Sequence, residues 1–322
     1  MKIAVTSRSF SQHPTLRKEL EDCYPNADIK FNEQALNLQG DGLIEFLCNR
    51  DRAIIALEYL GGRILSALPK LKVISKYGVG LDMLDLKAMS DRGIRLGWTG
   101  GVNRRSVSEL VIASVIALLR HIPESQRENL AGAWLQRKGG ELSGRTFGII
   151  GCGRVGKDLA SLLRGFNCQI LTYDIVNYPL FFAEYEISSV SLDVLLRESD
   201  VVSLHTPLND RTRNILSADR LEMMKPSAIL VNAARGGLVD EKAIKAMLID
   251  GRLAGAAFDV FASEPPDDQD LLNLPNFLAT PHIGGSSEEA VLAMGRAAIA
   301  GLECNGDPIE ITNSFAPDGL GT

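Results

Sequence analysis

Short apolar runs recur along the chain, separated by stretches with helical spacing. The runs at 3–5, 53–57, 72–75, 147–150, 169–173, 201–204, 228–231 and 255–258 are too short for helices and often apolar on both faces. Parallel strands covered by helices on each side look like this. Between them, 155–163, 192–198, 218–224 and 241–249 carry helical patterns. The alternation predicts an α/β chain with doubly wound parallel sheets. Two places read as domain crossings. The turn-rich GWTGG at 97–101 precedes a long helical pattern at 105–121, apolar except for residues such as Glu109. Near the other end, Ser286-Ser287-Glu288-Glu289 reads as a capped helix start opening the alanine- and glycine-rich stretch 290–302. The expected organisation is a first domain of residues 1–100, completed by 285–322, and a second of residues 101–284. The last ten or so residues are a polar tail with no predicted element.

Length supports that division, since 322 residues suit two domains better than one. A hydrophobic share of 45% with 23% charged residues is that of a soluble globular protein. The net charge of -6 gives no support to nucleic acid or an anionic membrane as a partner. The first residues (MKIAVTSRSF) have no signal-peptide pattern, and charge interrupts every apolar run before it reaches membrane-spanning length. Cys23, Cys48, Cys152, Cys168 and Cys304 are scattered, odd in number and without metal-ligand spacing. The expectation is a cytoplasmic protein without a metal, in which Cys152 packs inside a glycine loop.

That loop carries the clearest chemistry. In TFGIIGCGRVGKDLA (146–160), Gly151, Gly153 and Gly156 form G-x-G-x-x-G after an apolar strand and at the start of a helix. The first glycine permits a tight turn, the second lets backbone N–H groups approach a pyrophosphate, and the third lets helix pack on strand. The helix N-terminus adds partial positive charge. Asp174 ends the next strand, where a carboxylate grips ribose hydroxyls and repels a 2′-phosphate; no arginine follows through Tyr178. The expected cofactor is NAD rather than NADP.

Arg235 stands in NAARGG (232–237), where another apolar strand runs out. A guanidinium is costly to bury unpaired, so it meets an anion or reaches water. Taken singly, Arg235, Glu264 before Pro265-Pro266 and His282 after Pro281 fit solvated loop positions as well as functional ones.

From about residue 70 to about 285 the chain resembles the D-isomer-specific 2-hydroxyacid dehydrogenase family, closest to its phosphoglycerate dehydrogenase-like branch. The resemblance rests on KYGVGLDMLDL (76–86), GIIGCGRVG (148–156), HTPL (205–208), NAARGGLVDE (232–241), AAFDVFASEPP (256–266) and TPHIGG (280–285), in the family's order. It implies a flavodoxin-like substrate domain and a Rossmann NAD-binding domain with a cleft between them. It also implies hydride transfer between nicotinamide and C2 of a D-2-hydroxy or 2-oxo acid. Arg235 would bind the carboxylate and carbonyl oxygens, which its fork matches. His282 would move the hydroxyl proton, and Glu264 would orient the imidazole and stabilise its charged form. Thr99, Arg154, Val155, His205, Thr206, Pro207, Ala233, Ala234, Asp259, Gly284 and Gly285 fall, with the glycine loop and Asp174, on cofactor-contacting positions. Asp259 would lie near the carboxamide, and His205 is a rival base that the resemblance assigns to the cofactor instead. The turn Gly78-Val79-Gly80 would bind the substrate carboxylate as an anion nest, and Lys76 would supply a basic residue for a phosphorylated substrate. Arg8 and Arg104 are further candidates for an anion pocket, with solvated surface positions as the alternative.

The substrate expected is 3-phosphoglycerate-like, with glyoxylate or hydroxypyruvate reduction as the alternative. Val79 stands where relatives acting on phosphite carry lysine, which disfavours that activity. Gly100-Gly101 replaces a proline common in relatives and suggests a looser hinge. The resemblance implies a homodimer with 105–121 near the interface. The chain ends before the regulatory domains of many phosphoglycerate dehydrogenases, so serine feedback is not expected. A rival of another class is an NAD(H)-sensing, corepressor-like binding protein. A purely structural role gives no reason to combine the phosphate loop with Arg235, Glu264 and His282.

Overall fold

The computed structural model describes residues 1–314. Its contacts divide the chain into two units, residues 1–103 with 287 onward, and residues 104–286; the breaks predicted from the sequence were at 100/101 and 284/285. The expected tail lies outside the described residues from 315 on, and its first residues belong to the helix Pro308–Ser314.

Unit 1 is built on five parallel strands: β1 (Lys2–Val5), β2 (Asp28–Phe31), β3 (Arg52–Ile55), β4 (Val73–Lys76) and β5 (Arg95–Gly97), in the order β2-β1-β3-β4-β5. Successive strand side chains point to opposite faces, and both faces are apolar. Ile3, Val5 and Ile54 meet Phe10, Leu16 and Leu20 on one side, while Ala4, Ala53, Ile55 and Ile74 meet Leu43, Leu47, Leu65 and Met89 on the other. The first of these cores is completed from far along the chain. Ser287 caps the helix Glu288–Gly301 through the Ala290 N–H at 3.2 Å, and this helix brings Met294, Ala298 and Ile299 to the sheet. It packs backbone on backbone: a Cβ at Gly97 would lie 2.1 Å from the Gly301 carbonyl oxygen, and Ser75 Oγ donates to the Ala298 carbonyl at 2.6 Å.

Unit 2 carries seven parallel strands: β6 (Thr146–Ile150), β7 (Gln169–Tyr173), β8 (Ser188–Ser189), β9 (Val201–Leu204), β10 (Ile229–Asn232), β11 (Gly255–Phe258) and β12 (Phe277–Ala279). Their order is β12-β11-β10-β9-β6-β7-β8. Alternation again serves two cores. Phe147, Ile149, Val201, Ile229 and Val231 face Val111, Val115 and Leu159, whereas Ile150, Val202, Leu204, Leu230 and Phe258 face Leu195, Ile244 and Met247. The helical pattern at 105–121 is observed as the helix Arg104–Leu119; His121 then takes a left-handed conformation (φ 54°), and Pro123 lies in the first turn of a new helix, Ile122–Leu130. Strand 53–57 stops at Ile55, and Leu57 beyond it is exposed.

Candidate active site

Every singled-out residue of unit 2 apart from Arg104 sits on or beside the carboxyl end of a strand, where open α/β sheets bind ligands. The order reverses between β6 and β9, and this is where the glycine loop lies. Gly151 has φ 95°, and a Cβ there would stand 2.8 Å from the His205 carbonyl group, so the loop after β6 rests on the backbone of His205 and Thr206. A Cβ at Gly156 would meet the Gly151 oxygen at 2.2 Å, which fixes the helix Arg154–Leu163 close to its strand. At Gly153, by contrast, a Cβ would find no described atom within 4 Å, and no side chain caps the helix it opens. Open space, bare glycine and uncapped helix N–H groups together fit a dinucleotide pyrophosphate.

The flanking residues fit the same group. Arg154 opens the helix, and burial followed by the nearby Arg104 charge lowers its pKa. Arg104 lies 3.7 Å from Asp158, which also takes both hydrogen bonds of Arg105 at 3.0 Å. Val155 is held through its carbonyl by Ser108 Oγ at 3.5 Å. Asp174, after β7, accepts the N–H groups of Cys152 (2.6 Å) and Val176 (2.8 Å). A carboxylate has further lone pairs, so ribose hydroxyls can still be bound there. Cys152 is fully buried, and burial pushes its thiol up to about 11, which suits packing rather than nucleophilic chemistry. Burial likewise pushes the His205 imidazole down to about 4, and Ser203 Oγ lies 2.9 Å from its Nε2. A histidine this weakly basic is a poor proton shuttle near neutrality. Thr206 and Pro207 follow it on the same loop.

Three neighbouring strand ends carry the second half of the site. At the end of β10, Asn232 brackets the arginine loop, donating to the Arg235 carbonyl at 2.9 Å and accepting from the Ala234 N–H at 3.2 Å. Arg235 is half-buried, with Nη1 donating to the Ala234 carbonyl at 2.7 Å; Ala233 and Ala234 are half-buried beside it. The answer to why glycines follow the arginine is steric. A Cβ at Gly236 would lie 1.9 Å from the Phe261 carbonyl oxygen, so only glycine lets this loop rest on the one after β11. That loop presents Glu264, whose Oε1 accepts the Phe261 N–H at 3.1 Å and whose Oε2 lies 2.8 Å from His282 Nδ1. Both partners are partly open to solvent, at 39% and 45%.

Asp259 ties the histidine's loop down. It is buried, and its carboxylate accepts Thr280 Oγ1 at 2.6 Å and the N–H groups of Ile283 and Gly284 at 2.8 Å each. Its carbonyl accepts the His282 N–H at 2.9 Å, and His282 itself has φ 55°. Gly284 is buried here, with Gly285 next in the chain. The family resemblance implies a cofactor role for Asp259; this bracing of residues 280–284 and the parts played by Thr280 and Asn232 emerge only from the fold.

The remaining candidates belong to unit 1. Gly78-Val79-Gly80 follows β4, with Gly78 at φ 121° and the Val79 carbonyl accepting Trp98 Nε1 at 3.0 Å. Lys76 is buried, and its ammonium donates to the carbonyls of Ala56 (2.5 Å) and Tyr77 (3.2 Å). Thr99 is exposed after β5, and Arg8 is exposed after β1.

Residues 112–284 match the family described as D-isomer specific 2-hydroxyacid dehydrogenase, NAD binding domain. Hydroxypyruvate reductase of Thermotoga maritima is 36% identical over 265 residues, 80% of this chain and 86% of that protein. D-3-phosphoglycerate dehydrogenase of Methanocaldococcus jannaschii is 37% identical over 268 residues; they cover 82% of this chain and 51% of the relative, about half its length. Among solved structures, the TT0316 protein of Thermus thermophilus superposes with a TM-score of 0.83 at 31% identity, covering 99% of each chain.

Proposed function

This chain belongs to the D-isomer specific 2-hydroxyacid dehydrogenase family, and on that premise we propose that it interconverts a 3-phosphoglycerate-like D-2-hydroxy acid and its 2-oxo acid. It is an NAD-dependent oxidoreductase, and bound NAD supplies the hydride acceptor at its nicotinamide ring. The observation that carries the chemistry is the 2.8 Å pair of His282 Nδ1 and Glu264 Oε2. With Nδ1–H donated to the carboxylate, Nε2 keeps its lone pair and is the atom that takes the hydroxyl proton during oxidation. Glu264, itself fixed by the Phe261 N–H, offsets the charge the ring then gains. Arg235 binds the substrate carboxylate and polarises the adjacent C–O group. In the reducing direction the same imidazolium returns the proton.

A second substrate reading, glyoxylate or hydroxypyruvate reduction, is favoured by Lys76. Its ammonium is engaged by two carbonyls and buried, which makes it a poor partner for a substrate phosphate. NADH oxidation with hydroxypyruvate, glyoxylate, pyruvate, 2-oxoglutarate and 3-phosphohydroxypyruvate separates the two. Preference for the phosphorylated acid supports the first, and preference for a small unphosphorylated acid supports the second. NADH binding with no turnover on any of them counts against both and favours the sensing role, which gives no use to the Glu264–His282 pair. Arg235→Ala is expected to keep NADH affinity while losing turnover.

We also propose a homodimer in the cytoplasm. In support, Ile122, Leu130, Trp134 and Leu135 expose large apolar surface just after the helix Arg104–Leu119, as interface residues do in an isolated protomer. The exposed Cys23, Cys48 and Cys304 fit a reducing compartment.

A further inference from the structure

Unit 1 contains a cavity that the proposed chemistry leaves unused. It measures about 920 Å³ and opens at the carboxyl ends of β1, β2 and β3, lined by residues from 7–12, 36–40 and 56–64. Its size is that of a small-molecule site, and β1 and β3 are the strands between which the order of this sheet reverses. The lining is amphipathic. Leu36, Leu57 and Tyr59 are 47%, 73% and 65% exposed, so three of the large exposed apolar side chains gather around one opening.

The charged groups of the lining are satisfied with one exception. Arg63 is paired with Asp41 at 2.9 Å, and Glu58 accepts the Ala56 N–H at 2.7 Å. The Arg8 guanidinium forms no hydrogen bond or ion pair with another described residue. The wall is also bonded to the strand end that leads into Gly78-Val79-Gly80: the Ala56 carbonyl accepts the Lys76 ammonium, and Ser9 Oγ donates to Tyr77 Oη at 3.4 Å.

We propose that this cavity binds an organic anion with an apolar or aromatic body, the body lying on Leu57 and Tyr59 and the anionic group on the Arg8 guanidinium. A guanidinium fork matches either a carboxylate or a phosphate, and an aromatic ring adds contact area at low entropic cost. Two sources share this chemistry. One is the far end of the substrate, which then carries a long chain ending in an anion; this source rests on the dehydrogenase function proposed above. The other is a separate effector.

The test uses the full chain with NADH bound, 3-phenylpropionate as probe and 3-phenylpropanol as its uncharged control, followed by calorimetry. The wild type is expected to bind the acid about tenfold more tightly than the alcohol, in line with one charge-assisted hydrogen bond. Arg8→Ala should bring the acid down to the alcohol's affinity with an unchanged melting temperature, and Tyr59→Ala should weaken both probes. Inhibition of glyoxylate reduction that is competitive with glyoxylate identifies the substrate's far end; non-competitive inhibition identifies an effector. Arg8-dependent binding in a protein that reduces no 2-oxo acid would support the cavity while refuting the dehydrogenase reading. No binding to the wild type, or equal binding to Arg8→Ala, overturns the proposal.

Discussion

Asp259→Asn separates two roles for one carboxylate. In the native chain Oδ1 accepts from Thr280 Oγ1 and the Ile283 N–H, and Oδ2 accepts from the Gly284 N–H. An amide has a single acceptor oxygen. In its better orientation that oxygen keeps Thr280 and Ile283, and the NH₂ group faces the Gly284 N–H, donor against donor. One bond to a charged acceptor is lost, worth about 1.5–3 kcal/mol, and a buried N–H is left without a partner. Because these are two views of one broken contact, the expected destabilisation is about 2–4 kcal/mol rather than their sum. For a unit the size of residues 104–286, that lowers the melting temperature by roughly 5–15 °C. Since the same contacts hold residues 280–284, kcat should fall with stability through misplacement of His282. Differential scanning calorimetry and steady-state kinetics give both numbers, and NADH titration gives a third. If NADH affinity collapses while stability changes by under about 0.5 kcal/mol, the carboxylate acts on the cofactor and the bracing argument is refuted.

Gly156→Ala places a Cβ 2.2 Å from the Gly151 oxygen, so NADH affinity should drop at least about tenfold as the phosphate loop shifts; unchanged fluorescence titration would contradict this. His205 is expected to stay neutral in the fold from pH 8 down to about 4, so its ring resonances should not shift above pH 5. Its folded pKa lies below the ordinary value of about 6.5, so the unfolded chain binds more protons between pH 6.5 and 4. Its contribution to stability is therefore complete above about pH 6.5 and lost as pH falls toward 4; His205→Gln should flatten that part of the urea stability profile. Trp134→Glu should convert the proposed dimer to monomer in sedimentation velocity, and an unchanged mass would remove Trp134 from the interface.

The strands missed by pattern share one physical cause. β2, β5, β8 and β12 are the four outermost strands of the two sheets. An edge strand has one neighbour and lacks the doubly apolar run that marks an interior parallel strand. β2 alternates charge with apolar residues (DIKF), and β8 is two exposed serines. The interior strands were legible because helices cover both their faces. In the site, the glycine loop with Asp174 could be read from local spacing, while Glu264 and His282 were visible only through their motifs. What sequence did not disclose depended on long-range closure: Asp259 reaching residues 280–284, the Gly236 backbone resting on Phe261, and Lys76 turning inward although it ends a strand that could have delivered it to the surface.

The way the chain leaves and re-enters unit 1 sets an order of events during synthesis. Residues 104–286 are contiguous and can close their sheet as soon as they emerge. Residues 1–103 can pair all five of their strands, but one face of that sheet lacks part of its cover until Met294, Ala298 and Ile299 follow residues 104–286. At about 5–20 residues per second, the face formed by Ile3, Val5 and Ile54 waits roughly 10–40 s for its cover. Of the two units, unit 1 is thus begun first and finished second, and its partly open apolar face in that interval is a form in need of a chaperone.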